Sequence, residues 1–229
     1  MEAQEWTEET YIELIRPYAQ AMGQMLGQIE KLEQILALAQ EEPLHHIKSR
    51  IKTRESIAAK LAEKGLPPTA DTARTYLSDI AGIRLVFYFE SDLRRMAGLL
   101  KSSSGFLLLR EKDYIAQPKE SGYRSLHLIF SVPVSFKGKL QKLPVEIQLR
   151  TVGMDFWAGI EHRLCYKRRR AAAVQEKQAA GEPIMRDFAG CALLLASLEK
   201  KMEEIAIADI SCYNRAQKRP ERRDQSCHR

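Results

Sequence analysis

Residues 79–89 read Asp-Ile-Ala-Gly-Ile-Arg-Leu-Val-Phe-Tyr-Phe, and the run from Ile83 to Phe89 decides the fold. It is dense in β-branched and aromatic side chains, which marks a buried strand. Working outward, Ser91 or Asp92 starts a helix to about Lys101, and Phe106 to Arg110 reads as a second strand. Leu126 to Val134 is a third strand and Val145 to Arg150 a fourth, with a polar, hairpin-like connection over Phe136 to Lys142. Upstream, apolar residues recur at helical spacing over 8–41, which predicts one long helix or two broken near Pro17. Thr53 suits the cap of a helix to about Lys64, ended by Gly65 before the Pro67-Pro68 turn. Gly153 onward is helical again, as is Leu193 to Ile207, and the charged, alanine-rich stretch 168–184 reads as a mobile linker. Helices, then a small sheet with an inserted helix, then helices give an α+β protein with a small mixed β-sheet flanked by helices.

The chain has 229 residues, 45% of them hydrophobic, which is enough for a core and excludes global disorder. No apolar stretch approaches the roughly 20 residues of a membrane span, and the acidic start Met-Glu-Ala-Gln-Glu-Trp lacks a signal-peptide pattern. A cytoplasmic protein with no membrane partner is the expectation. Cys165, Cys191, Cys212 and Cys227 lack Cys-x-x-Cys spacing and read as reduced thiols. The net charge of +6 is concentrated at the end, where Arg215, Lys218, Arg219, Arg222, Arg223 and Arg229 face only Glu221 and Asp224. Such a tail is either a solvated chain end or a contact for RNA.

Four stretches carry chemistry. Lys48, Arg50, Lys52, Arg54 and Lys60 crowd thirteen residues, opposed by Glu55. With a helix starting near Thr53, Ser56 and Lys60 fall on one face, and cations beside a hydroxyl at a helix N-terminus suit a polyphosphate. A solvated charged face is the plainer reading of the same residues. Asp79 stands at a strand entrance and Arg84 at the head of an apolar run. In Val145-Glu-Ile-Gln-Leu-Arg150 strict alternation puts Glu146, Gln148 and Arg150 on one strand face. Asp79 and Glu146, on neighbouring strands, make a pair able to hold Mg²⁺, which is usually bound by one or two carboxylates plus substrate phosphates. Finally, Pro118-Lys-Glu-Ser-Gly-Tyr-Arg-Ser-Leu-His127 offers the Tyr123 ring for a purine, Gly122 for close backbone approach, and Lys119 and His127 for phosphate or ribose.

The strings His46-Ile-Lys-Ser-Arg-Ile-Lys52, Asp79-Ile-Ala-Gly-Ile-Arg84, Lys112-Asp-Tyr-Ile115, Gly122-Tyr-Arg-Ser-Leu-His127, Glu146-Ile-Gln-Leu-Arg-Thr151 and Met154-Asp-Phe-Trp-Ala158, followed by Glu161-His162 and Tyr166-Lys167, stand in one order. Together they resemble the RelA/SpoT-type alarmone (p)ppGpp synthetase domain. The resemblance implies a nucleotidyltransferase-like synthetase domain over 45–167, with a helical extension over 1–44, a linker and helix over 168–210 and a basic tail over 211–229. It also implies a stand-alone small synthetase without a hydrolase domain. The reaction it implies moves the β,γ-pyrophosphate of ATP to the ribose 3′-hydroxyl of GDP or GTP, with Mg²⁺ and release of AMP.

By the same resemblance, Arg50 and Arg84 would sandwich the adenine, while Lys52, Ser56 and Lys60 hold the ATP phosphates. Asp79 would be the main metal ligand, and Glu146 would assist the metal or act as general base. Tyr123 would stack on guanine, with Lys112, Lys119 and His127 near the acceptor's phosphates and ribose, and Gln148 and Arg150 supporting the shared face. Family members often read Pro-Lys-Pro-Asn-Gly-Tyr where this chain has Glu120-Ser121 in place of Pro-Asn. Small relatives commonly form homotetramers through their terminal helices, although the amphipathic ends here could equally cover the sheet of a monomer. Two rival functions are a toxin-type pyrophosphokinase acting on adenosine nucleotides or the tRNA 3′ end, and a catalytically inactive nucleotide- or RNA-binding module.

Overall fold

The computed structural model describes residues 6–38, 42–103, 105–172 and 182–217. Five strands, β1 (Leu44–Ile51), β2 (Ala81–Phe87), β3 (Leu107–Asp113), β4 (Leu126–Phe136) and β5 (Lys139–Thr151), form one sheet in the order β1-β2-β5-β4-β3. Only β2 and β5 run parallel among these pairs; the other three pairings are antiparallel. The α+β expectation with a small mixed sheet therefore holds.

Helix α1 (Glu8–Leu38) is a single helix with Pro17 inside it, not two helices meeting there. Proline removes one backbone bond and costs about 3 kcal/mol in a helix interior. Here Leu14, Pro17, Tyr18, Ala21, Met25 and Ile29 are all buried, and continuous burial across the proline outweighs the lost bond. These residues join Ile83, Leu85, Phe87, Leu128 and Phe130 of the sheet and Leu93, Met96 and Leu100 of α4 (Glu90–Ser103) in one core.

The opposite face of the sheet is polar. Cα register places Lys48, Arg84, Gln148, His127 and Lys112 in one row across all five strands, with Arg50, Gly82 and Glu146 in the adjacent row. Helix α2 (Arg54–Ala62) opens on Thr53, whose side chain accepts from the Ser56 amide as expected. Helix α5 (Val152–Ala172) leaves the end of β5 directly, and α6 (Glu182–Gln217) packs against α5.

Two elements were not foreseen. Strand β1 hides in the basic segment because it is an edge strand whose outward residues are cations, so it lacks an apolar signature. Helix α3 (Ala70–Tyr76) is short and rests on a reciprocal Thr69/Thr72 capping box. The connection expected over 136–142 shrinks to the turn Lys137-Gly138, where both residues have positive φ, and the strands run up to it on either side. The linker expected over 168–184 is helical in backbone up to Ala172 and again from Glu182, and its centre lies outside the described residues. Of the tail expected over 211–229, residues 211–217 continue α6 in backbone and the rest lies outside the described residues; among the described residues no helix is long and apolar enough to cross a membrane.

Met25 is fully buried in α1 against the sheet. Met25→Ala should lower unfolding free energy by about 2–5 kcal/mol, read as a shift in the urea midpoint with an unchanged slope. A change below about 1 kcal/mol would show that α1 contributes little to the sheet's stability.

Candidate active site

A cleft of about 370 Å³ opens on the polar face, lined by Lys48, Ser49, Arg50, Asp79, Gly82, Ile83, Arg84, Glu146 and Gln148. Its floor follows from the sheet: β2 and β5 are parallel neighbours, with Gly82 opposite Glu146 and Arg84 opposite Gln148. Gly82 supplies no side chain, so the middle of the cleft stays open between Arg50 and Glu146.

At one end, Lys52 Nζ donates to Asp79 Oδ2 at 2.6 Å and Lys60 Nζ donates to the same oxygen. The backbone of Lys52 is fixed by its amide donating to Ile80 O at 2.8 Å. Burial pushes the Asp79 carboxyl upward, but the two lysines outweigh it and hold it below its ordinary value. Burial pulls Lys52 below its ordinary value, and the nearby Lys60 and Arg50 add to that pull against Asp79. The corner is thus crowded with cations around one ionised carboxylate. Asp79 Oδ1 is buried and has no hydrogen-bond partner among the described residues. A buried carboxylate oxygen left open beside Glu146 and near a cluster of lysines fits a divalent cation that also carries phosphate. Ser56 sits exposed at the α2 N-terminus, its hydroxyl accepting from Thr53 Oγ1 at 2.9 Å.

At the other end stands a directed chain of hydrogen bonds. Arg150 Nη2 donates to Tyr123 Oη at 2.9 Å, and that hydroxyl lies 2.8 Å from His127 Nε2. His127 Nδ1 is 3.3 Å from Glu146 Oε1, and Gln148 Nε2 donates to Glu146 Oε2 at 2.8 Å. An ionised carboxylate only accepts, so the His127 nitrogen facing Glu146, Nδ1, carries a proton. With His127 neutral, Nε2 then accepts the Tyr123 hydroxyl proton, while the tyrosine oxygen accepts from Arg150. Burial pushes Glu146 upward, but His127 and Gln148 outweigh that push and hold it below its ordinary value, against the repulsion of Asp79.

The loop that carries Tyr123 is anchored at its base. Asp113 Oδ1 accepts from the Ile115 and Ala116 amides, both at 2.9 Å, and Arg94 pairs with Asp113 and Glu90. Arg124 reaches Glu90 at 3.4 Å, and Ser125 Oγ donates to Leu149 O at 3.1 Å. Lys119 Nζ lies 4.8 Å from the Tyr123 ring centre and 4.9 Å from that of Tyr114. Gly122 has φ +89°, and a Cβ there would come within 2.7 Å of Ala192 Cβ on α6. Behind it Tyr123, Trp157 and Phe188 form a file of edge-on rings, and Trp157 Nε1 donates to Phe188 O at 3.0 Å. Helix α6 is held by two carboxylates: Glu199 accepts from the Gly153 amide at 2.8 Å and Glu203 from the Ser91 amide at 3.0 Å. Each caps the exposed start of another helix.

Of the residues singled out in the sequence, Arg50, Asp79, Arg84, Glu146 and Gln148 line the cleft, and Lys52 and Lys60 reach it through Asp79. Tyr123 and His127 join it through Glu146, and Lys119 covers Tyr123. Lys112 is exposed on β3, level with His127 but in contact with none of these side chains in any bond described for it. Sequence reading passed over Tyr114, Asp155, Glu199 and Glu203. Asp155 and Tyr114 sit inside two of the quoted motifs and were within reach; the glutamates look like ordinary solvated positions of an amphipathic helix.

Residues 49–171 match the region found in RelA/SpoT proteins. The chain belongs to the RelA/SpoT family. It is 43% identical over 125 residues to the GTP pyrophosphokinase YwaC of Bacillus subtilis, a match covering 55% of this chain and 60% of that protein. It is 34% identical over 152 residues to the GTP pyrophosphokinase YjbM of the same organism, covering 66% of this chain and 71% of the relative. The fold superposes with TM-score 0.76 on the crystal structure of small alarmone synthetase 1 from Bacillus subtilis bound to its product pppGpp, at 28% identity, over 87% of this chain and 97% of the other.

Gly122→Ala meets both a positive φ and the α6 backbone at 3.0 Å. It should destabilise the protein by about 1–3 kcal/mol and red-shift Trp157 emission in a Trp6→Phe background, as α6 lifts from the ring file. Unchanged emission and midpoint would break the proposed contact.

Proposed function

We propose that the chain is a GTP pyrophosphokinase that makes (p)ppGpp from ATP and GDP or GTP. The observation that carries this reading is a cleft holding Asp79 and Glu146, the first paired with Lys52 and Lys60 and the second linked through His127 to Tyr123, in a member of the RelA/SpoT family. YwaC and YjbM, both described as GTP pyrophosphokinases, support it.

On the donor side, Arg50 and Arg84 hold the adenine between their guanidinium planes. Lys52, Lys60 and Ser56 hold the triphosphate, which relieves the mutual repulsion of the cations. Asp79 and Glu146 would hold Mg²⁺, which supplies charge neutralisation at the phosphates when bound. On the acceptor side, Tyr123 stacks on guanine while Lys112, Lys119 and His127 face its phosphates and ribose. The ribose 3′-oxygen forms a bond to the β-phosphorus of ATP as the bond from that phosphorus to the α-phosphate bridging oxygen breaks. AMP leaves with that oxygen. Glu146, kept ionised by its surroundings, takes the hydroxyl proton. Most of the catalysis asked of the protein is positioning and charge compensation.

The same reading places the protein in the cytoplasm as a homo-oligomer, with a tetramer favoured by the family resemblance. Exposed Leu193, Leu194, Leu198 and Met202 on α6 support an assembly through the terminal helices.

The test offers [³²P]ATP with GDP, GTP, ATP or tRNA in separate reactions containing Mg²⁺. Label transfer to GDP and GTP with matching AMP release is expected. Transfer to ATP or tRNA alone would favour the toxin-type reading, and nucleotide binding without AMP release would favour an inactive binding module. Asp79→Asn should lower turnover by about 100-fold or more. Tyr123→Ala should cost about 1–3 kcal/mol of acceptor stacking, near a tenfold rise in the KM for GDP, with the KM for ATP nearly unchanged.

A further inference from the structure

Between the donor and acceptor halves lies Asp155, in the first turn of α5, with its side chain 14% exposed. Its Oδ1 forms an ion pair with Arg84 Nη1 at 3.1 Å and accepts from Arg150 Nη1 at 2.9 Å. Arg84 lines the donor cleft, whereas Arg150, only 5% exposed, donates through its other nitrogen to Tyr123 Oη and to Gln148 Oε1. One carboxylate oxygen is therefore shared by two guanidinium groups that serve different nucleotides. The Nε atoms of both arginines are buried and lack partners among the described residues, so Asp155 is the one carboxylate within ion-pair distance of either among the described contacts. Burial and the charge of Arg150 both press against the Arg84 cation, and Asp155 opposes them. Among the described residues the remaining ion-pair partner of Asp155 is His46, whose Nε2 lies 3.9 Å from Oδ2.

We propose that Asp155 is a positioning residue that couples the two nucleotide sites, so that donor binding tightens acceptor binding. The inference rests on the pyrophosphokinase reading. When Arg84 turns onto the adenine, it gives up its share of Oδ1. Arg150 then holds that oxygen alone and fixes the Tyr123 hydroxyl more firmly. The acceptor ring is thereby ordered by an event on the far side of the cleft, and by linkage the acceptor favours donor binding by the same factor. Asp155 touches neither substrate; it acts through the two arginines.

The experiment uses the full chain and calorimetry. The Kd of an ATP analogue with a methylene bridge between its α- and β-phosphates is measured with and without saturating GDP. In the wild type GDP should tighten the analogue about fivefold or more. Asp155→Asn keeps the shape and loses the charge, and should bring that ratio to near one while the two arginines remain. Asp155→Glu should restore part of it. A merely structural role would weaken both nucleotides and leave the ratio unchanged. Asp155→Asn with the wild-type ratio overturns the proposal, as does a wild-type ratio of one with both nucleotides bound. If Asp155→Asn fails to fold, Arg150→Lys decides: one ammonium cannot serve both Asp155 and Tyr123 in this geometry, so a retained ratio overturns the coupling. A wild-type protein that binds neither nucleotide refutes the pyrophosphokinase reading itself and this inference with it.

Discussion

The structure depends on one strand pairing, the parallel ladder between β2 and β5 at the centre of the sheet. Parallel neighbours cannot be joined by a tight turn, so the chain must leave the end of β2, cross over through α4, and lay down β3 and β4 before β5 returns. That detour has a chemical result. It brings Asp79, which precedes β2, to the same end of the sheet as Glu146 in β5, although 67 residues separate them in sequence. The apolar faces of both strands, Ile83, Leu85, Val145, Ile147 and Leu149, are fully or almost fully buried and hold the register. A slip of one residue would exchange Glu146 for Val145 on the wet face and remove the site.

The polar face is organised by charge rather than by packing. Two lysines converge on Asp79, two arginines converge on Asp155, and His127 and Gln148 converge on Glu146. Each carboxylate is thus held ready by donors, and cations outnumber carboxylates around the cleft. An excess of cations is costly to keep in a partly buried place unless a polyanion completes it. That excess of cations is what a polyanion would complete, and α1 and α4 on the other face provide the apolar burial that sustains it.

Much of this was legible in the residues. The dense run ending at Phe89 and the strict alternation of Val145 to Arg150 gave β2 and β5, because burial on one or two faces leaves a period-two or continuous apolar imprint. The Asp79, Glu146 and Tyr123 groups were legible because their motifs concentrate functional side chains within short stretches. Strand β1 was not, since its exposed residues include Lys48 and Arg50 and leave no continuous apolar imprint. Pro17 left one helix or two open, because the cost of a proline is a local property while the burial that outweighs it is tertiary. Asp155 escaped for a similar reason: its meaning lies in arginines 71 and 5 residues away, and no periodicity reports a shared oxygen. Lys112 was carried into the site by motif alone; its place in the row across the sheet is real, but among the described residues no contact ties it to the cleft.

The two ends of the cleft also differ in how they are made. The donor end stands on β1, β2 and the first turn of α2, all continuous with the main core. The acceptor loop leans on α6, whose seat consists of the small cluster around Trp157 and two carboxylates inserted at the starts of other helices. Such a seat opens at a lower free energy than the sheet does. The end at Asp79 is accordingly preformed by the core, while the end at Tyr123 depends on how α6 is seated. Under the pyrophosphokinase proposal, that asymmetry favours an order in which ATP binds before the guanosine nucleotide.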